Sequence, residues 1–251
     1  MGKPRLRHKQ QELFRHGGKR RGAGRPKKGY RASEPHKKRP TIKRYQPVHI
    51  VLRAVAEIGS LRTWHLYRAV RTALLATMGR ADCRIVHISI QGTHIHLLVE
   101  ADNRIALARG MQAFQISAAK HINAALTADG INPRRGTVFP DRYHARIITS
   151  RKDARHALAY VLNNWRHHRE HRAAYARKWR VDLLSSALHF DGWRDLDVTT
   201  IELPPNFQPL PVWEPKTWLL REGWRMYGLI DPNGVPGSSG EAKRASTVVA
   251  E

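Results

Sequence analysis

Four side chains of this 251-residue sequence have the types and spacing for chemistry: His94 and His96, two apart, and Tyr160 with Asn164, four apart. Residues two apart in a β-strand leave the same face with Cβ atoms roughly 7 Å from each other, so two imidazoles placed this way can converge on one cation. Residues four apart in a helix also share a face, about one turn from each other. A phenol has a pKa of about 10 and attacks phosphate poorly unless a cation polarises the phosphate or a neighbour lowers that pKa. The two halves therefore need each other. The amide oxygen of Asn164 can act as a third ligand beside the imidazoles, leaving positions open for phosphate oxygen and water. Taken separately, the pair is two solvent-facing polar residues among 15 histidines, and the tyrosine is a packing residue. Imidazoles alone favour zinc or copper over magnesium. Glu100 shares the histidine face, with Leu98 between it and His96, and Gln91 and His87 lie on the partner strand nearby; each can orient a ligand or a water, but none is assigned a catalytic role.

The elements that must position these groups follow from periodicity. Pro47 to Val55 is β-branched and apolar, a strand, and His65 to Met78 repeats apolar residues at helical spacing. Cys83 to Gln91 and His94 to Glu100 both alternate across a three-residue connection, an antiparallel hairpin. Within the second of these strands Ile95, Leu97 and Val99 face helices, which leaves the histidines on an open face of the sheet. Arg104 to Leu126 is a long helix closed by Asp129-Gly130 and Pro133, and Tyr143 to Thr149 is a strand. Arg151 to Arg169 is the last helix, N-capped by Ser150. The order is an α+β, ferredoxin-like βαββαβ antiparallel sheet with an added C-terminal helix carrying Tyr160. After about residue 180 prolines make the chain irregular, although Trp193, Trp213, Trp218 and Trp224 require part of it to pack back on the core. Residues 217–230 read as one terminal helix, and 232–251 as disordered. The expected division is a basic arm over 1–44, a catalytic domain over 45–172 and an extension over 173–251.

Charge limits the partners. The formal net charge is +25, and residues 1–44 hold 17 Lys or Arg against only Glu12 and Glu34. Within Gly17 to Gly29 the cations Lys19, Arg20, Arg21, Arg25, Lys27 and Lys28 sit among glycines that hold no helix. The Gly-Arg-Pro step at Arg25 is similar to an AT-hook, which lies in the narrow minor groove; a solvated basic tail raising salt-sensitive affinity explains the segment equally well. A polyanion is the natural partner. No apolar run is long enough for a spanning helix and the first residues lack a signal peptide, so no membrane partner and a cytoplasmic location are expected. The single cysteine, Cys83, excludes a disulfide framework and a cysteine-built zinc site.

The hairpin His94-Ile95-His96, followed by Tyr160-Val161-Leu162-Asn163-Asn164, resembles the single-tyrosine HUH transposases, especially the REP-associated tyrosine transposases. The resemblance spans residues 45–170 and includes Phe139 to Arg146, with Trp165 where that family commonly has proline. It implies Mg²⁺ or Mn²⁺ bound by His94, His96 and Asn164, and Tyr160 as the nucleophile that cuts single-stranded or hairpin DNA and keeps a 5′-phosphotyrosine link. It also implies resealing by another strand's 3′-hydroxyl, in a monomer or in a homodimer that shares the tyrosine helix. Competing readings are a domesticated DNA- or RNA-binding protein that no longer cuts and a metal-dependent hydrolase; the intact motif opposes the first, and the last would need a carboxylate or water-activating base near the histidines and would leave free 5′-phosphate ends.

Overall fold

Alternation and helical periodicity translate directly into elements in the computed structural model, which describes residues 41–127 and 134–237. In chain order they are β1 (Val48–Arg53), α1 (Trp64–Thr77), β2 (Cys83–Ile90), β3 (His94–Ala101), α2 (Arg104–Ala125), β4 (His144–Ile147) and α3 (Arg151–His167). Asn103 caps α2 by accepting from the amides of Ile105 and Ala106, and Ser150 caps α3 by accepting from Asp153. The sheet order is β2-β3-β1-β4 with every pair antiparallel, the ferredoxin-like arrangement expected. One face carries Ile50, Leu52, Ile95, Leu97 and Val99 against Val70 and Leu74 of α1 and Met111 and Phe114 of α2. Cys83 is buried in that core, where loss of solvation pushes its thiol up to about 12 and leaves it unreactive.

The opposite face, expected to be open, is covered. α3 lies across it, and Val86 and Leu98 join Leu158, Val161, Leu162, Phe190, Trp193 and Trp224 in a second core. The apolar stripe of α3 needs a partner, and these two side chains supply it on an otherwise polar face. The molecule is therefore layered as helices, sheet, then α3 with the C-terminal segment. That segment also closes the β2 edge: Ser186 donates to the Ile88 carbonyl, Ile90 to Leu184 and Trp213 to Ile85.

The single helix expected over 217–230 is instead α4 (Trp218–Arg221) followed by a 3-10 turn over Gly223–Tyr227. The Trp218 ring lies so near Gly223 that a Cβ there would come within 2.7 Å, and close packing of the aromatics breaks the helical run. Trp193 and Trp224 are buried, as their size demands, whereas Trp218 stays half exposed. Of the stretch expected to be disordered, residues 232–237 are ordered enough for the Pro232 carbonyl to accept from Arg166. Residues 238–251, the helix stop at Asp129-Gly130 and Pro133, and the basic run from Lys19 to Lys28 lie outside the described residues.

Glu100 anchors the extension. Its fully buried carboxylate accepts from Arg84 at 3.1 Å and from the backbone amides of Lys216 and Thr217 at 2.9 and 2.8 Å. Glu100→Ala leaves Arg84 buried without its partner, so urea unfolding should show a loss of about 3 kcal/mol together with faster proteolysis between residues 204 and 217. Unchanged stability and proteolysis would show that the anchor contributes nothing.

Candidate active site

The strand histidines form a connected row. His94 Nε2 and His96 Nε2 are 2.9 Å apart with rings nearly perpendicular. His49, on the neighbouring strand, stacks on His96 and places Nε2 3.1 Å from its Nδ1, while Thr93 Oγ1 lies 3.1 Å from His94 Nδ1. If both Nδ1–H groups donate, His96 to His49 and His94 to Thr93, the two Nε2 lone pairs face one point. That arrangement is repulsive by itself and suited to a shared cation. Burial, then the neighbouring His94, His49 and His168, pushes His96 down to about 2. Burial, then His168 and Arg53, takes His94 down to about 4, and burial, then Arg146 and His144, takes His49 down to about 4. All three rings are therefore neutral donors at pH 7.

The terminal helix meets this row. The half-buried Tyr160 ring stands edge-on to His96 at 5.3 Å and to His49 at 5.7 Å, and two turns later the His168 ring lies 5.3 Å from His94. Asn164 occupies the intervening turn on the same helix face. It is completely buried, and neither its amide oxygen nor its amide nitrogen has a hydrogen-bond partner. An unpartnered buried amide costs about 1–3 kcal/mol, so its retention on the helix face that carries Tyr160 and His168 to the histidine row fits a metal ligand. Its neighbour Asn163 is used elsewhere, donating to the Asp231 carbonyl. Trp165 is buried and α3 runs on to His167, so the helix is unbroken where a proline would end it. Among the described residues no group of three or more His, Cys, Asp or Glu is placed to hold a metal, and the donor set here is two imidazoles and one amide.

His94, His96, Tyr160 and Asn164 are thus brought together, whereas Lys19, Arg20, Arg21, Arg25, Lys27 and Lys28 lie outside the described residues. The other polar groups singled out from the sequence turn to structural work: Gln91 donates to Ser89, His87 contacts Ser186, and Glu100 holds the extension. Sequence reasoning missed His49, His168 and Arg146. Arg146 sits directly across from His49 in the β1–β4 pairing and is ion-paired with Asp153 of α3, which sets a fixed cation at the tyrosine side of the site. His49 is a polar residue inside an apolar strand, the one signal available, and its meaning depends on strand register. His168 falls two turns after Tyr160 and was legible by the same four-residue spacing.

Residues 43–164 match the model of the family described as IS200-like transposases, a span from just before β1 to Asn164. A solved structure of a REP-associated tyrosine transposase bound to a REP hairpin is similar at 16% identity and a TM-score of 0.42, covering 54% of this chain and 74% of that one. No curated protein matches the sequence. Among the described residues no helix is long and apolar enough to cross a membrane.

The depressed histidines make stability depend on pH. His87, fully buried, is pushed down to about 3 by burial and then by His189, and it stands apart from the histidine row. Below pH 6.5 the unfolded chain takes up protons that the native rings refuse, so stability is complete above that pH and falls as pH drops toward 4. For each such histidine the slope approaches about 1.4 kcal/mol per pH unit. Urea midpoints measured between pH 7 and 4.5 should fall, and His87→Asn should flatten the slope by about one proton's worth; an unchanged slope would remove His87 from this account.

Proposed function

We propose, from the match of residues 43–164 to the model of the family described as IS200-like transposases, that the chain cuts and rejoins single-stranded DNA with Tyr160 as nucleophile. The observation that carries the reading is Tyr160 edge-on to His96 of its own chain, with an unpartnered Asn164 one turn further along the helix. One chain then supplies the complete set of groups, so a monomer suffices.

His94, His96 and Asn164 are the residues to hold Mg²⁺ or Mn²⁺, and such a cation neutralises charge on the scissile phosphate. His49 fixes the His96 ring so that Nε2 faces the site. Arg146 and Arg53, the latter opposite His94 in the β1–β3 pairing, supply positive charge toward the DNA backbone. Tyr160 Oη attacks phosphorus in line, the bond to the 3′-oxygen breaks, and the phenol's proton passes by way of solvent to the departing hydroxyl. The DNA retains a 5′-phosphotyrosine link until a 3′-hydroxyl of another strand displaces the tyrosine. No ATP is consumed, because one phosphodiester replaces another. The resemblance to REP-associated transposases points to hairpin-bearing repeats as substrate, and the basic arm adds salt-sensitive backbone affinity.

Incubation with labelled single strands and Mn²⁺ should produce a covalent adduct that Tyr160→Phe abolishes while DNA binding persists. EDTA should abolish it as well, and Asn164→Ala or His49→Ala should lower Mn²⁺ affinity by about 10- to 100-fold by calorimetry. An adduct that survives Tyr160→Phe but not Tyr143→Phe would reassign the nucleophile. Binding with no adduct at all from the wild type would leave a DNA-binding protein that no longer cuts, and free 5′-phosphate ends would indicate a hydrolase.

A further inference from the structure

A second concave site lies away from the histidine row, where the start of α1 meets the C-terminal extension. The cavity is about 730 Å³, the size of a small-molecule or nucleotide site. One wall is a cluster of three rings, Trp64, Tyr67 and Phe207. Tyr67 stacks on Phe207 at 5.7 Å and is tied to the extension through a 2.8 Å hydrogen bond to the Gln208 carbonyl, while Trp64 stands edge-on to both. Trp64 and Tyr175 line the space, and each leaves 44% of its surface exposed. Large aromatic faces left to water are costly unless something covers them.

The ring set is held rigid from below. Buried Arg62 donates to the Tyr175 hydroxyl at 3.3 Å while gripping Asp182 with two bonds of 2.8 Å and the Ile90 carbonyl at 2.7 Å. Around the rings the lining supplies three cations, Arg68, Arg71 and Lys178, and no carboxylate. Flat apolar faces ringed by positive charge alone match the chemistry of an unpaired nucleotide: a base to stack, a phosphate to neutralise. A cationic ligand would meet only repulsion. In the sequence, two of its lining residues, Tyr175 and Lys178, follow His168, which faces His94, within ten residues.

We propose that this aromatic pocket between α1 and the extension binds an unpaired base of single-stranded DNA, stacked on Trp64 and Tyr175 with its phosphate toward Arg68, Arg71 or Lys178. The inference rests on the reading of the chain as a single-strand DNA transposase and gives that strand a second holding point, separate from the tyrosine and its metal ligands. It assigns the extension a part in recognition rather than packing alone.

The test uses the full chain, single strands carrying 5-iodouracil at successive positions, and a blunt duplex as control. Irradiation followed by mass spectrometry should place crosslinks on Trp64, Tyr175 or Trp179 for one or two base positions. Trp64→Ala and Lys178→Glu, both at exposed positions, should each weaken single-strand binding by about tenfold, the size of one lost stacking or phosphate contact. Duplex binding should stay unchanged in both variants, and the urea midpoint in Lys178→Glu. Single-strand affinity unaltered in the variants, with crosslinks confined to other surfaces, would overturn the pocket while a wild-type Tyr160 adduct kept the enzymatic reading. Failure of the wild type to bind any single strand would overturn both, and protection of Trp64 by a bound protein but not by DNA would assign the pocket to a protein partner.

Discussion

Everything in this molecule turns on how a sheet face carrying ionisable groups is taken out of water without leaving them unmatched. His49, His87, His96, Arg84 and Glu100 all point to one side of the sheet and all are buried. The face tolerates this because its polar groups are sorted into two regions. At one end Glu100 takes three donors, two of them backbone amides, so its charge is fully solvated by the protein. At the other end the histidines are kept neutral by burial and His96 is bonded to His49, which costs far less than burying charge. Between the regions Leu98 and Val86 give α3 an apolar footing on the strands.

That division places Tyr160. Ala154, Ala157, Leu158, Val161 and Leu162 press α3 onto the apolar footing, and the helical repeat then has no freedom left: Tyr160, Asn164 and His168 must lie over the histidine row. The outer side of the same helix is fastened by the end of the chain. Arg155 donates to the carbonyls of Gly228 and Leu229, and Arg166 to that of Pro232. Positioning of a nucleophile thus depends on contacts made some seventy residues further along the sequence.

The parts of this arrangement that obey a short repeat were legible in the sequence. Period-two alternation placed the strand that carries His94 and His96, period 3.6 placed Tyr160 and Asn164 on one helix face, and a serine before the final helix marked its cap. What escaped was set by pairing between distant segments. His49 acquires meaning only when β1 is laid beside β3, and the covering of the histidine face could not be read because strand periodicity does not say which side of the sheet α3 takes and the C-terminal segment packed with it has no regular period. The aromatic-rich stretch over residues 217–230 has helical composition, yet the approach of Trp218 to Gly223 divides it in a way no local preference records. The extension was visible as tryptophans in need of shelter, but not as the lid of a second core.

The closing of the β2 edge by residues 184–186 and 213 has one more implication. The stretch that matches the family model ends at Asn164, whereas the unit that shelters its own backbone and its own tryptophans runs some seventy residues beyond. Excised at the limit of sequence similarity, the fragment would present a bare strand flanked by Val86 and Leu98, an adhesive border suited to pairing with its own copies. The limit of sequence similarity and the limit of the packed unit thus differ in this protein, and the second is the one a stand-alone fragment must respect.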